Sequence, residues 1–464
     1  MNLRIVRIEL RRSVALWAAA VVLAAALAFL HLVPGPWSKG SAQWTAQWTS
    51  MAMWTRHLLV FLWPLAVGLG ALQGLRDRRS KMSELLISTP RPALHRAGAT
   101  AGTTAFALAS AFALLVLLGA VRVLAGDTSY THLGWLPVSL VGALALGAGA
   151  ALGMGVARAL PSVLTPPALA FAALMLTSFL RHHQTSDAAV PTALVPNVLA
   201  LLSPTVAEVR GTLLTLSAPV HLGQTLWLLG MAATGVALLA AAGPRARLLA
   251  LTPLLAGGAV ALLLLPSDPR DTYVVDRAAA AQVCDGPVCV TAVHEPRLDG
   301  LAGPGREALR LLRGALGDRA PVAIRETTAL RALSATPERP RGSVLVDFGD
   351  HAIGKAEGEG LIRALVGQGM VPLCSPRSET ESGTREDVAA QSIATAWVLG
   401  EEPRPLGGTM HPAKEQAGMA GAVWKRFSAL PGAEQRERII AAHIAAVSCA
   451  GDAFAVLRDG GASR

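Results

Sequence analysis

Long apolar stretches alternate with short polar loops through the first 266 residues of this chain, and none of these stretches contains Asp or Glu. Each is long enough, at about 1.5 Å per residue, to cross a hydrocarbon core of about 30 Å when the bilayer thins slightly around the shortest. Proton- and sodium-coupled transporters need intramembrane carboxylates, so this bundle is expected to draw its energy from elsewhere or not to pump. The pattern predicts seven membrane-spanning helices, at residues 14–33, 58–75, 97–124, 136–157, 163–180, 225–243 and 248–266.

Composition supports a membrane protein. Hydrophobic residues make up 52% of the chain and charged residues 16%, which excludes an ordinary soluble protein. The net charge of +10 would suggest nucleic-acid binding in a soluble chain. Many of these basic residues lie beside the apolar stretches, however, so we interpret them as topology signals and expect no nucleic-acid partner.

The basic residues predict the orientation of the chain. The first twelve residues, the loop of residues 76–96, Arg158, and the pair Arg245 and Arg247 all fall on one side of a seven-span arrangement. Positively charged loops stay in the cytoplasm, which predicts a multi-pass plasma-membrane protein with a cytoplasmic N-terminus and an extracytoplasmic C-terminus.

The loops on the opposite side have a different composition. The first is rich in tryptophan, which is typical of a membrane-interface belt, although a ligand-binding role stays open. A later outer loop, residues 181–224, holds two short apolar pieces at residues 193–202 and 206–216 that we predict to be re-entrant or interfacial helices. The tryptophans are Trp37, Trp44, Trp48 and Trp54.

Residues 267–464 have the composition of a separate domain, because charges rise and apolar runs shorten. We therefore predict a transmembrane domain over residues 1–266 and an extracytoplasmic α/β domain over residues 267–464. Strands are predicted at residues 288–293, 322–326 and 343–348, and helices at residues 306–316, 359–366, 387–399, 416–430 and 433–448.

All four cysteines, Cys284, Cys289, Cys374 and Cys449, lie beyond the last apolar stretch. Their even number in the segment assigned to the outside favours disulfides. We predict a bridge between Cys284 and Cys289 around an Asp-Gly-Pro turn, which leaves Cys374 to pair with Cys449. A zinc site that uses His294 is the alternative, although paired Cys-x-x-Cys spacing is missing.

Catalytic motifs are not found. Residues 349–356 nearly match a phosphate-binding loop, but Ala356 stands where a Ser or Thr hydroxyl should hold magnesium. We therefore predict a strand-to-helix turn there, and no catalytic site, metal or cofactor in the chain. In the fourth apolar stretch, Gly149 and Gly153 form a small-x-x-x-small motif that allows close helix packing, either within one subunit or in a dimer.

The most specific feature is the inner loop of residues 75–92, where Arg78, Arg79 and Lys81 precede a short potential helix over residues 83–88. Leu85 and Leu86 lie beside Glu84 in that helix, and Pro90 stops it. An apolar knob with a basic rim can dock a soluble partner. With its Arg…Glu-Leu-Leu…Thr-Pro-Arg pattern, residues 1–243 of the chain resemble the permease subunits of bacterial type-2 ABC exporters, as does the amphipathic segment of residues 1–12.

This resemblance implies that the loop is the coupling helix that engages a separate ABC ATPase. Glu84, Leu85 and Leu86 would then transmit motion, and Arg78, Arg79 and Lys81 would form the contact rim. It also implies a mainly α-helical polytopic protein that works as a homodimer or with a homologous permease and moves an amphipathic or lipophilic substrate outward. A plain positive-inside anchor is the simpler interpretation of the loop. A membrane-tethered extracytoplasmic binding or sensing protein is the alternative function, and a membrane-bound hydrolase is the third.

Overall fold

A computed structural model describes most of the chain, and the contacts within it divide the molecule into two compact units. We call them the helical unit, which covers most of residues 1–275, and the C-terminal unit, which covers residues 276–464 with two short segments from earlier in the chain. The described residues are 14–38, 43–76, 92–126, 130–182, 184–187, 190–206, 213–327, 342–348, 351–372, 384–406, 412–449 and 451–460.

The helical unit contains nine described α-helices. They are α1 (Ala15–Leu32), α2 (Trp48–His57), α3 (Leu59–Gly74), α4 (Ala93–Leu124), α5 (Trp135–Ala159), α6 (Thr165–His182), α7 (Ala218–Ala240), α8 (Pro244–Leu249) and α9 (Thr252–Leu264). Helices α2 and α3 follow each other directly with a bend of 49°. Apolar composition without acidic residues lets these helices bury themselves against one another or against lipid.

Five helices in the described chain are long and apolar enough to cross a membrane, and the bent α2–α3 pair would make a sixth. The five are α1, α4, α5, α7 and the continuous segment Pro244–Leu264. The predicted fifth crossing does form a helix, α6, but two prolines at its start and Arg181 and His182 at its end lower its mean hydropathy. The predicted count of seven crossings is therefore not confirmed.

Glycines of α5 set the packing at the centre of the helical unit. A Cβ placed on Gly153 would lie 2.1 Å from the carbonyl oxygen of Val67 in α3. On another side of α5, a Cβ on Gly155 would lie 2.4 Å from the carbonyl oxygen of Gly235 in α7. Such close backbone approach requires glycine. The small residues of α5 therefore pack within one chain, which resolves the two alternatives left by the sequence.

One prediction for the outer loops is wrong. The piece of residues 193–202, expected to form a re-entrant or interfacial helix, instead holds the end of strand β2 (Val190–Pro196), which lies beside β1 (Gln184–Asp187), and a 3-10 turn at Ala200–Leu202. Residues 207–212 of the other piece lie outside the described residues, and its end is β3 (Leu214–Leu216), paired antiparallel with β4 (Tyr273–Val275). Three of the four tryptophans of the first outer loop, Trp44, Trp48 and Trp54, are buried in the helix core, and Trp48 stacks on Trp135 at 5.5 Å. The membrane-interface belt stays a prediction.

The C-terminal unit is an α/β structure whose elements agree with those predicted. Its strands are β5 (Gln282–Asp285), β6 (Val288–Thr291), β7 (Ala323–Glu326) and β8 (Ser343–Val346). Its helices are α10 (Leu298–Leu316), α11 (His351–Gly354), α12 (Gly358–Met370), α13 (Arg385–Leu399), α14 (Ala413–Phe427), α15 (Gly432–Ser448) and α16 (Ala453–Asp459). Strand β5 and helix α16 were not predicted.

The four strands form one sheet in the order β5-β6-β7-β8. Strands β5 and β6 make an antiparallel hairpin, whereas β6, β7 and β8 run parallel. Alternate residues of these strands, including Val290, Ile324 and Val346, are fully buried in the core of the unit together with helix residues such as Leu312 and Leu365. The parallel arrangement places the carboxyl ends of β6, β7 and β8 at one edge of the sheet.

Candidate functional site

The predicted ATPase-coupling loop lies outside the described residues. All six of its candidate residues, Arg78, Arg79, Lys81, Glu84, Leu85 and Leu86, fall between residues 77 and 91. The structure does describe the two helices that hold the loop, since α3 ends at Gly74 and α4 begins at Ala93 after Pro92.

Packing of the helices brings the ends beside this loop to one face of the helical unit. Helix α5 runs parallel to α3, with Gly74 against Met154, and antiparallel to α4, with Gly147 against Ala105. The backbone N–H of Val14 donates to Gln73 Oε1 at 3.3 Å, so the start of α1 is also here.

Five arginines gather at that face, which we call the arginine-rich end and define as Arg76, Arg96, Arg158, Arg245 and Arg247. They lie near the end of α3, the start of α4, the end of α5 and the start of α8. Arg247 Nη1 donates to the carbonyl oxygen of Ala159 at 3.1 Å, which joins α8 to the end of α5. The sequence placed these arginines on one side of the bundle, and the helix contacts agree.

At the other end of the bundle, a short irregular segment is tied to the helices by side-chain hydrogen bonds. We call residues 200–206 the cap segment. Five of its carbonyl oxygens accept bonds from polar side chains of α2 and α7, which satisfies backbone groups that would otherwise be buried without partners. The bonds, of 2.8–3.3 Å, run from Gln224 to Leu201 and Ser203, from Trp227 to Leu202, from Arg56 to Pro204 and from His57 to Val206.

Arg56 is the centre of this polar group. Its side chain has 0% exposure, and its guanidinium also donates to Gln224 Oε1. From the sequence alone, Arg56 resembles an ordinary flanking charge, because it lies two residues before the second apolar stretch. Its position inside the segment from Trp48 to Gly74, which is otherwise free of charge, was the available signal.

A second polar group lies in the C-terminal unit, at the carboxyl ends of the parallel strands. Glu326, the last residue of β7, is 4% exposed and accepts from His294 Nδ1 at 2.5 Å and from the backbone N–H of Thr291 at 2.6 Å. The His294 ring lies 4.9 Å from the ring of Phe348, and the Arg297 guanidinium lies 5.1 Å from the same ring.

This geometry defines what His294 can do. A carboxylate oxygen only accepts, so Nδ1 carries a hydrogen and Nε2 is the nitrogen available to a ligand. His294 is 12% exposed, and ligands of parallel α/β sheets bind at this edge. From the sequence, His294 was considered only as a zinc ligand. The acidic Glu326 at the end of a predicted strand was the missed indication of a polar partner.

The disulfide prediction is confirmed for one pair. Cys284 and Cys289 are bridged across the β5–β6 hairpin, where they are directly opposite residues, and Gly286 in the turn has a φ of 58°. This bridge removes two of the thiolates that the zinc alternative needs. Cys449 is disulfide-bonded as well, but Cys374 lies outside the described residues. Among the described residues, no group of three or more His, Cys, Asp or Glu could hold a metal.

The near-match to a phosphate-binding loop lies partly outside the described residues, at Gly349 and Asp350. The described part has a strand, β8, followed closely by the short helix α11, as predicted for a strand-to-helix turn. Comparison with protein-family models, with curated proteins and with solved structures found no match to this chain.

Proposed function

We propose that this chain is the membrane-spanning permease subunit of an ATP-driven exporter of the ABC type. It would act as a homodimer or beside a homologous permease, with separate ATPase subunits, and move an amphipathic or lipophilic substrate outward. The observation that carries the proposal is the arginine-rich end, where the end of α5 and the starts of α1 and α8 lie beside the attachment points of the 75–92 loop.

The length of α4 supports a docking role for that end. Its 32 residues span about 48 Å at 1.5 Å per residue, whereas the hydrocarbon core is about 30 Å thick. An upright α4 therefore extends beyond the core by several turns. Its first turn, with Arg96, would project from the membrane and carry the loop to a soluble partner.

Charge and disulfide chemistry support the orientation. The positive-inside rule puts the arginine-rich end in the cytoplasm, where an ATPase has access to ATP. With α6 counted as a crossing, the chain crosses seven times and the C-terminal unit is outside. The Cys284–Cys289 bridge is what an oxidising compartment favours.

Close packing gives a route for mechanical transmission. At the glycine contacts of α5, the backbones of α3 and α7 touch that of α5 directly, and closely packed interiors transmit displacement. A push on the loop between α3 and α4 would therefore tilt α3, α5 and α7 together.

The test is whether a separate ABC ATPase co-purifies with tagged permease from its native membranes. Leu85→Ala combined with Leu86→Ala should abolish the association and ATP-dependent export, because truncating a buried leucine costs about 2–5 kcal/mol. Membrane insertion should be unchanged. The matched control is Arg78→Ala combined with Arg79→Ala, which should weaken the association little, since exposed ion pairs contribute about 0–1 kcal/mol. If no ATPase accompanies the wild-type protein, or if the leucine variant keeps full export, the exporter role is wrong.

The alternative role, a membrane-tethered binding or sensing protein, is favoured by the His294–Glu326 pair at the carboxyl ends of the parallel strands. It predicts that the chain functions without any ATPase. It also predicts that His294→Gln, rather than the leucine variant, abolishes the cellular response.

A further inference from the structure

Arg56 is a buried cation whose partners are all neutral. Its Nε donates to the carbonyl oxygen of Pro204 at 3.3 Å, and its Nη2 donates to the side-chain amide of Gln224. Its Nη1 is buried and has no hydrogen-bond partner. A guanidinium offers five N–H donors in a planar fork that fits a carboxylate or a phosphate, so this arrangement leaves part of the fork unused.

Among the described residues, no negatively charged side chain pairs with Arg56. No salt bridge in the described chain includes Arg56, and the apolar stretches that pack around it contain no Asp or Glu. The nearest ionisable neighbour on α7 is His221, whose charged form would repel Arg56 and whose Nδ1 is also buried without a partner. One helical turn earlier, the hydroxyl of Ser217 is buried without a partner as well.

A buried charge without a counter-ion is strongly unfavourable, and water can satisfy its donors but not its charge. In membrane bundles such residues mark binding sites and transport pathways. The group that Arg56 lacks is therefore a negatively charged oxygen acid.

The apolar environment specifies the rest of the ligand. Residues beside Arg56, Ala52 and Met53, are buried with Val206, Val220 and Leu265 in one hydrophobic cluster. A small hydrophilic anion would lose its hydration on entering such a site. An alkyl chain attached to the anion would offset that cost by about 0.8 kcal/mol for each buried CH₂ group.

We propose that Arg56 binds the negatively charged head group of an amphiphile, a carboxylate or a phosphate. This site rests on the proposed function for its physiological meaning, because in an exporter the amphiphile is the cargo. Arg56 has no exposed surface, so entry requires the cap segment to move. The bond from Arg56 to Pro204 is the contact that an incoming head group replaces.

The experiment uses the full-length protein in phosphatidylcholine nanodiscs and two probes, dansylundecanoic acid and its methyl ester. Binding is measured as energy transfer from tryptophan to dansyl that excess unlabelled fatty acid displaces. Wild-type protein should bind the acid at least about tenfold more tightly than the ester, which corresponds to about 1.4 kcal/mol. Arg56→Gln should remove the preference and Arg56→Lys should keep part of it. Arg122→Gln, an exposed arginine of α4, is the matched control and should keep all of it.

A second pair of variants tests the site independently, in case Arg56→Gln does not fold. His221→Glu places a carboxylate beside Arg56 without breaking a described side-chain hydrogen bond, so it should occupy the guanidinium, abolish the preference for the acid and raise the melting temperature. His221→Gln should keep the preference. If His221→Glu binds the acid as tightly as wild type, Arg56 is not the site.

One residue of this chain could replace the external ligand. Glu208 lies two residues beyond the cap segment, outside the described residues. Glu208→Gln should change neither the preference for the acid nor the melting temperature. A large drop in melting temperature would show that Arg56 already has its counter-ion, and would overturn the proposal.

Two further measurements identify where the head group comes from and distinguish the Arg56 site from the proposed exporter role. Displacement of the dansyl acid in phosphatidylglycerol nanodiscs would identify membrane lipid as the source of the head group, whereas retention points to a separate cargo. The binding assay contains neither ATPase nor nucleotide. Failure of ATPase co-purification with an intact acid preference would therefore reject the exporter and leave the site. Co-purification of the ATPase with equal binding of acid and ester would support the exporter and reject the Arg56 site.

Discussion

Adding a single methyl group at Gly153 should destabilise the helical unit through a clash with backbone atoms. In the structure, a Cβ at this position lies 2.1 Å from the carbonyl oxygen of Val67 and 3.1 Å from the backbone nitrogen of Ala71. Ordinary contact begins at 3.4 Å. Because the carbonyl cannot rotate away as a side chain would, Gly153→Ala requires α3 and α5 to separate by about 1.3 Å.

The free-energy cost of Gly153→Ala is obtained by comparison with a matched control variant. In a helix interior, Gly→Ala gains about 1 kcal/mol of intrinsic helix propensity. Gly102 of α4 has no atom within 4 Å of the added Cβ, so Gly102→Ala should show this gain alone. Gly153→Ala should show the same gain against an overpacking cost of about 1–3 kcal/mol. The difference between the two variants isolates the overpacking cost, since the propensity gain cancels.

Thermal unfolding of the detergent-solubilised protein, followed by size-exclusion chromatography after heating, measures this difference. At about 2–4 °C per kcal/mol, Gly153→Ala should melt several degrees below Gly102→Ala. Val67→Ala in the Gly153→Ala background should not restore stability, because the clash is with the backbone. Equal melting temperatures for the two alanine variants would show that α3 and α5 are not in the described contact.

Three further predictions concern the C-terminal unit. Glu326→Gln should cost about 1–3 kcal/mol, because an amide NH2 group replaces one of the two acceptor oxygens and leaves one buried donor without its acceptor; the exposed Glu307→Gln should not change the urea midpoint, and equal midpoints would count against the buried pair. Replacing Cys284 and Cys289 with Ala should cost about 2 kcal/mol, and mass spectrometry of unreduced wild-type peptides should recover the bridge rather than free thiols. Burial lowers the pKa of His443, so the unfolded state binds its proton more tightly and stability should fall as pH drops below about 6.5. His443→Gln should flatten that dependence between about pH 7.5 and about pH 5.5, and an unchanged slope would exclude His443 as its source.

Sequence patterns were a good guide where one local signal decided the structure. Period and turn residues located three strands and five helices of the C-terminal unit, and the Asp-Gly-Pro turn located the Cys284–Cys289 bridge. Patterns failed in the outer loop, where the apolar piece at residues 193–202 forms the end of a strand and a 3-10 turn. Apolar runs of that length fit a strand or a helix equally well, and only their neighbours decide between them.

The candidate sites show the same division. The arginine-rich end could be predicted because the positive-inside rule acts on each loop separately. Arg56 could not, since its meaning depends on Gln224 and Pro204, which lie 168 and 148 residues away in the chain. His294 was considered from the sequence, but its partner Glu326 is 32 residues away in the chain. The two side chains come into contact only because β6 and β7 pair in parallel.

By itself, therefore, the sequence determined that this is a membrane protein with an appended α/β unit, because hydropathy, charge and periodicity are properties of single segments. The tertiary structure decided that the glycines of α5 pack inside one chain, that Trp44, Trp48 and Trp54 are buried, and that Arg56 has no ion-pair partner among the described residues. Those properties depend on contacts between side chains that are far apart in the chain, and a one-dimensional pattern carries no information about such contacts.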